Sequence, residues 1–263
     1  MSKVHINDLC EGMVSDQVVC DNRGVILLSK GIVITEVIIE RLKTFELEYV
    51  IIQDESSKGF EALVENVSDR VYAEKIINIK DTITQIKDII YSVSQRPYVE
   101  KCLAQQDHLL KEHSLRTAIV STNMGLKKGY RSLNLESLAA SVLVHDCGME
   151  GKYKEDDIEH PLKGFIKLRE DLEVEMTVAL VCLQHHEQYN GGGFPFSFKR
   201  TQVIEFASLL AVVDYYDRLL INKQDHQKVF FDTIKKRKEC FDPCMVELFA
   251  STFDWARLYN IPR

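Results

Sequence analysis

Five histidines and two aspartates carry the side chains most able to hold divalent cations: His113, the pair His145-Asp146, His160, the pair His185-His186, and Asp214. Imidazole nitrogen combined with carboxylate oxygen suits Mn, Fe, Zn or Ni, and a carboxylate can bridge two ions through its two oxygens. Together the seven could fill two metal spheres and leave positions for water. Taken singly, each has a blander reading. His113 beside charged neighbours reads as a solvated helix residue. His145-Asp146 follows the apolar run Ala139-Ala140-Ser141-Val142-Leu143-Val144. It is either a buried pair in need of partners or a helix C-terminus where His145 meets the dipole and Gly148 forms the cap. His185-His186-Glu187 follows Val178-Ala179-Leu180-Val181-Cys182-Leu183 and also reads as a helix end before a glycine loop. Asp214 lies in the most hydrophobic helical stretch, after Phe206-Ala207-Ser208-Leu209-Leu210-Ala211-Val212-Val213. An aspartate there must be ligated, paired or neutralised. Three ionisable clusters at or within apolar helices argue against independent accidents.

The elements that must position these residues are mostly helical. Segments 99–128, 134–147, 170–186, 202–221 and 226–258 keep helical spacing, and a glycine-rich turn, Asn190-Gly191-Gly192-Gly193-Phe194-Pro195, follows the histidine pair. Upstream, two β-branched runs within 16–28 flank Asp21-Asn22-Arg23-Gly24, which has the chemistry of a hairpin turn. Thr35 can cap a helix carrying Val37, Ile38, Ile39, Leu42 and Phe45, and Tyr49-Val50-Ile51-Ile52 reads as a strand. Residues 68–95 read as a helical connector, interrupted at Arg96-Pro97 because proline disfavours helix at the residue before it. The expected class is therefore mainly α: a small α+β unit with its connector over 1–97, then a helical bundle over 98–263.

Composition narrows the function classes. The 263 residues carry 33 Lys+Arg against 40 Asp+Glu, a net charge of −7, with 45% hydrophobic and 28% charged residues, which excludes disordered and collagenous chains. The negative balance gives no support for DNA binding. Seven cysteines without a CxxC pair argue against a disulfide framework or zinc ribbon and for reduced cytosolic thiols. The N-terminus lacks an apolar signal region and no stretch approaches the ~20 apolar residues of a membrane helix, so a cytoplasmic protein without a membrane span is expected.

The ordered set Glu112-His113-Ser114-Leu115-Arg116, His145-Asp146-Cys147-Gly148, His160-Pro161-Leu162-Lys163-Gly164, His185-His186-Glu187-Gln188-Tyr189-Asn190-Gly191-Gly192-Gly193-Phe194-Pro195 and Asp214-Tyr215-Tyr216-Asp217 resembles the HD-GYP domain. That is a subgroup of the HD metal-dependent phosphohydrolase superfamily, and the likeness covers about residues 100–250. The stretch from Ile6 to Ile51 is similar, more loosely, to a small domain that often precedes HD-GYP modules. The resemblance implies a helical bundle with two divalent ions, Fe or Mn by preference and Zn, Ni or Mg as alternatives, hydrolysing cyclic di-GMP in bacterial signalling. Its ligands would be His113, His145, Asp146, His160, His185, His186 and Asp214, with Asp146 bridging and Asp146 and His145 at the chemistry. Arg116 and Glu187 would support the ligands, or form plain surface ion pairs.

This chain departs from the family pattern in ways that bear on substrate handling. Met149 stands where a lysine is usual, and it can neither donate a proton nor carry charge. Phe194 replaces the tyrosine of the family name and removes a hydroxyl. Only 15 positions separate His145 from His160, fewer than the family normally has, and the Arg-Pro-Tyr-Arg stretch after Asp217 is missing. Phosphate contacts are therefore expected from Arg218, Lys223, Lys199 or Arg200, with Lys152 or Lys154 reaching in for the missing lysine, and Phe194 either stacks on a base or packs the loop onto the bundle. Leu109 stands where a third-metal glutamate would be, which favours two ions. The leading expectation is a cyclic dinucleotide phosphodiesterase. The alternatives are a phosphohydrolase acting on another nucleotide and a degenerate module that binds metal or nucleotide and signals through a protein partner. A homodimer is compatible with each.

Overall fold

Proline and capping residues divide the helical part of this chain into separate rods, and those breaks bring the histidines together. The structure is a computed structural model that describes residues 2–6, 9, 15, 17–20, 24–29, 32, 34–45, 47–52, 60, 63–68, 77, 79–149, 157–221, 226–236 and 239–254. Two compact units result, Met1–Ala62 and Leu63–Arg263.

In the first unit, β1 (Ser2–His5) pairs antiparallel with β4 (Tyr49–Ile52), Ser2 opposite Ile52 and His5 opposite Tyr49. A second antiparallel pair joins β2 (Val19–Cys20) to β3 (Ile26–Leu28). Of the expected hairpin turn, residues 21–23 lie outside the described residues, and Gly24 takes a φ of 82°. Helix α1 (Glu36–Lys43) starts at Thr35, whose side chain accepts from the Ile38 amide as a capping residue should. Ile34, Ile39, Leu42 and Val50 bury against Ile6, Leu9, Val19 and Leu28 to form the small core.

The second unit is helical. Helix α2 (Ile83–Ser94), which the sequence grouped with the N-terminal part, packs here against the three helices that follow. Pro97 opens α3 (Pro97–Ala104), as its fixed φ allows at a first helical position. The single helix expected over 99–128 is two. It breaks at residues 105–107, and Asp107 accepts from the Leu110 amide to start α4 (His108–Lys128). Helix α4 is buried along most of its length and ends at Gly129, φ 83°, with the Tyr130 amide donating to the Gly125 carbonyl.

Helix α5 (Ser132–Leu143) packs on α4, and it stops three residues before Asp146. A short helix absent from the sequence expectation, α6 (His160–Ile166), runs into a π-helical turn over Lys167–Asp171. It leads to α7 (Met176–Gln184), which also begins later than expected. Helix α8 (Glu205–Ile221) crosses α4 and α7. The long helix expected over 226–258 splits into α9 (His226–Lys235) and α10 (Pro243–Ser251), where Asp242 caps and Pro243 starts the second piece. Among the described residues, no helix is long and apolar enough to cross a membrane. The fold class is mainly α with a small strand-bearing N-terminal unit.

Candidate metal centre

The seven residues singled out from the sequence converge. His113 projects from the second turn of α4, His145 and Asp146 follow the end of α5, His160 opens α6, His185 and His186 follow α7, and Asp214 lies mid-α8. Two four-residue groups result, each with its ligand atoms within 4.8 Å of one another: His113, His145, Asp146 and Asp214; and Asp146, His160, His185 and His186. Asp146 belongs to both. All seven are buried except His186, which is partly exposed.

Helix ends do the positioning. The Nδ1 atoms of His145 and His185 lie 2.6 and 2.7 Å from the carbonyl oxygens of Val142 and Cys182, and His160 Nδ1 meets the carbonyl of Asp157. A carbonyl only accepts, so each Nδ1 carries the proton and each Nε2 lone pair faces inward. His113 Nδ1 lies 2.7 Å from Asp217 Oδ2, a carboxylate that likewise fixes the proton there. Gly148 allows the close approach of α6 to the turn after Asp146, since a Cβ there would collide with the His160 carbonyl and sit 2.5 Å from the Gly164 nitrogen.

The interior distances are those of atoms that need a cation between them. His113 Nε2 lies 3.1 Å from Asp214 Oδ1 and 3.3 Å from His145 Nε2, and His145 Nε2 lies 3.3 Å from Asp146 Oδ2. On the other side, His160 Nε2 lies 3.1 Å from His185 Nε2, and these two atoms lie 3.2 and 3.4 Å from Asp146 Oδ1. That oxygen is buried without a hydrogen-bond partner. Lone pairs facing one another at such distances repel. The separations match neighbouring ligands around an ion held at about 2.0–2.2 Å by each. The residues therefore fit the metal that their chemistry suggests.

Electrostatics agrees. Burial would raise the Asp146 carboxyl, but the surrounding His145, Arg218, His160 and His185 hold it well below the usual carboxylate range. Burial acts the same way on Asp214, where Arg218, His113 and His145 outweigh it and keep the group ionised. Desolvation lowers His185 to about 4 and His186 well below its ordinary value, leaving both as neutral ligands. His113 runs the other way. Burial opposes its charge, yet Asp214 and Asp217 lift it to about 9 in the metal-free protein.

Support comes from residues whose roles the sequence left open. Arg116 forks onto Asp217 through Nε (2.7 Å to Oδ1) and Nη2 (2.9 Å to Oδ2), so it holds the carboxylate that holds His113. Asp217 itself was missed as a functional residue. Its signal was a second acidic residue three positions after Asp214 on one face of an apolar helix. Buried Glu187 accepts from the Phe196 and Phe198 amides at 2.7 and 2.9 Å and pins the glycine loop. It is not a surface ion pair. Phe194, expected against a base, stacks on His186 with ring centroids 4.7 Å apart. Arg218, expected at a phosphate, has Nε 2.8 Å from both Asp214 oxygens. Arg200 lies over the Tyr189 ring, and Met149 is buried. Lys152 and Lys223 lie outside the described residues.

Residues 110–219 match the HD domain family model. The chain is 38% identical over 60 residues to the cyclic di-GMP phosphodiesterase PA4108 of Pseudomonas aeruginosa, covering 23% of this chain and 14% of that protein. It is 27% identical over 74 residues to a probable cyclic di-GMP phosphodiesterase of Vibrio cholerae serotype O1, covering 26% and 17%. The matched stretches thus span less than a fifth of the length of these curated relatives. Among solved structures, Bd1817, an HDG"Y"P protein from Bdellovibrio bacteriovorus, is similar over 95% of this chain and 98% of that one, with a TM-score of 0.52 at 16% identity. A cyclic GMP-AMP specific phosphodiesterase of V. cholerae, V-cGAP3, is similar over 66% and 49%, with a TM-score of 0.50 at 14% identity. At these identities the structural likeness is one of fold. The histidine and aspartate groups all lie inside the segment that matches the HD domain model, so residues 110–219 are similar to a domain of a metal-dependent family.

Proposed function

We propose that this protein is a cytoplasmic, metal-dependent phosphodiesterase that hydrolyses a cyclic dinucleotide, cyclic di-GMP first among candidates, in bacterial second-messenger signalling. The observation that carries the reading is the pair of buried ligand groups sharing Asp146. His113, His145, Asp146 and Asp214 would hold one ion, and Asp146, His160, His185 and His186 the other, with Fe or Mn preferred and Zn, Ni or Mg as alternatives. Bound divalent ions would supply activated water at neutral pH and neutralise charge on a phosphodiester.

The chain's own residues do the rest. Asp146 spans the two groups with its two oxygens, and the Nδ1 hydrogen bonds hold each imidazole in the tautomer that a ligand needs. Met149, buried and uncharged, cannot protonate the leaving oxygen, a role that would fall to Lys152 or Lys154. Lys152 and Lys223 remain candidate phosphate contacts by charge and position. The test is turnover of cyclic di-GMP, cyclic GMP-AMP and cyclic di-AMP by anaerobically purified, metal-quantified protein, beside Asp146→Asn. Linear dinucleotide from at least one substrate, abolished by the substitution, is the expected result. No turnover of any of the three by protein carrying two ions defeats the proposal.

A second reading, a signalling module without turnover, draws on buried Met149 and on Arg218, which is already engaged by carboxylates. Tight nucleotide binding unchanged by Asp146→Asn, without product, distinguishes it.

A further inference from the structure

Arg218 stands four residues after Asp214 on α8, so its side chain folds back over the same helix face. Its Nε lies 2.8 Å from both Asp214 oxygens, and its Nη2 lies 3.4 Å from Asp146 Oδ2 and 3.3 Å from His186 Nε2. The side chain is only 11% exposed. One guanidinium therefore reaches three of the seven candidate ligands. The two groups are not equally engaged. Arg218 contacts both carboxylate members of the group formed by His113, His145, Asp146 and Asp214, at Asp146 through Oδ2. In the other group it meets His186, while Asp146 Oδ1, between His160 and His185, keeps no hydrogen-bond partner among the described residues.

We propose that Arg218 is a resident cation that competes with one ion of the centre and so makes metal loading sequential. The position formed by Asp146 Oδ1, His160, His185 and His186 fills first. The position formed by His113, His145, Asp146 Oδ2 and Asp214 fills only when the guanidinium leaves. This rests on the two-ion reading of the centre, and it does not depend on the substrate.

The physical basis is charge and geometry. A guanidinium stays protonated throughout the working pH range, so no proton loss can clear it from the site. It offers a fork of N–H donors to the same oxygens that an ion would need, and a divalent ion beside it meets like charge. Displacement must be a rotation of the side chain away from Asp214. Its tether to α8 keeps the displaced group close to the centre, where an anionic ligand would meet it.

The test is calorimetric titration of chelator-stripped full-length protein with Mn²⁺, beside Arg218→Gln and Arg218→Ala, with ions per chain counted after desalting. For the wild type the expected result is two binding steps at least tenfold apart, with one ion kept on desalting. Arg218→Gln should tighten the weaker step at least tenfold and keep two ions. Arg218→Ala covers the case in which glutamine still occupies the site. The metal-free variants should melt lower than wild type, and saturating Mn²⁺ should raise their midpoints by more than it raises wild type. Two equal steps in wild type, or a weaker step unmoved by both substitutions, overturns the competition while leaving a two-ion centre in place. Absence of Mn²⁺ binding in all three proteins overturns the two-ion reading and the competition with it.

Discussion

Replacing Gly148 with alanine should loosen the centre without touching a ligand. A Cβ at this position would collide with the His160 carbonyl and stand 2.5 Å from the Gly164 nitrogen and 3.0 Å from its Cα. Ordinary contact begins near 3.4 Å, so the two backbones must separate by about 1 Å. Every one of these neighbours is main chain, and no rotamer change can relieve them. Because the colliding carbonyl belongs to His160, the separation carries that ring away from Asp146 Oδ1, now 3.2 Å from its Nε2. Overpacking of this kind costs about 1–3 kcal/mol. For a helical unit of this size that is roughly 3–10 °C in melting midpoint. Misplacing one ligand should weaken metal binding by roughly 10–100-fold, the range seen when a supporting contact is lost.

Gly129→Ala supplies the contrast. That glycine has a φ of 83°, and a methyl group added to it would meet nothing within 4 Å, so its substitution strains the α4 cap alone. It should lower the midpoint by about as much as a lost helix cap and leave ion affinity unchanged. Thermal unfolding and Mn²⁺ titration of both variants decide the matter. If Gly148→Ala binds Mn²⁺ like wild type, the argument that this close approach places His160 is wrong.

Arg116→Met should leave Asp217 buried with a single partner, His113, and cost about 2–4 kcal/mol in urea unfolding; a change under about 0.5 kcal/mol would contradict that support role. Metal loading should also release a proton from His113, whose value of about 9 in the metal-free protein must be given up to free Nε2. Titration at about pH 7.5 in buffers of differing ionisation enthalpy should report close to one proton per chain, fading above pH 9, and a buffer-independent enthalpy would refute it. The same group has a stability sign in the metal-free protein: raised from 6.5 to about 9, it stabilises the fold fully below 6.5 and loses that contribution as pH climbs through 9. His185, lowered to about 4, acts oppositely, its contribution present above 6.5 and lost as pH falls through 4.

Much of the site was legible because its residues sit where apolar helices end. An ionisable pair after Val142-Leu143-Val144, or an aspartate inside α8, is costly without partners, and that cost is visible in one dimension. The hairpin, the Thr35 cap and the Pro97 break were likewise local signals. What escaped depends on long-range packing. Strand β1 has four residues and no hairpin partner, since its mate β4 lies more than forty positions away. The break before α4 carries neither glycine nor proline, only the capping side chain of Asp107. Helix α6 is short, contains Gly164 and passes into a π turn, which blurs its period. Arg218 read as a phosphate contact. Its distance to Asp214 follows from helical spacing, but its reach to Asp146 and His186 exists only once α5, α7 and α8 have met.

The Nδ1 anchors of His145, His160 and His185 all belong to main-chain carbonyls three positions upstream. Such an anchor cannot be deleted by any change of side chain at the residue that supplies it, so three of the five imidazoles are insulated from mutational drift. His113 is not, because it leans on Asp217 and through it on Arg116. Nor is His186, which has a phenylalanine ring for a neighbour. A lineage could therefore rewrite the residues around the centre while the inner ring of histidines stayed in register. Sequence change that does disarm the centre should enter through the 113–116–217 relay or the loop around residue 194.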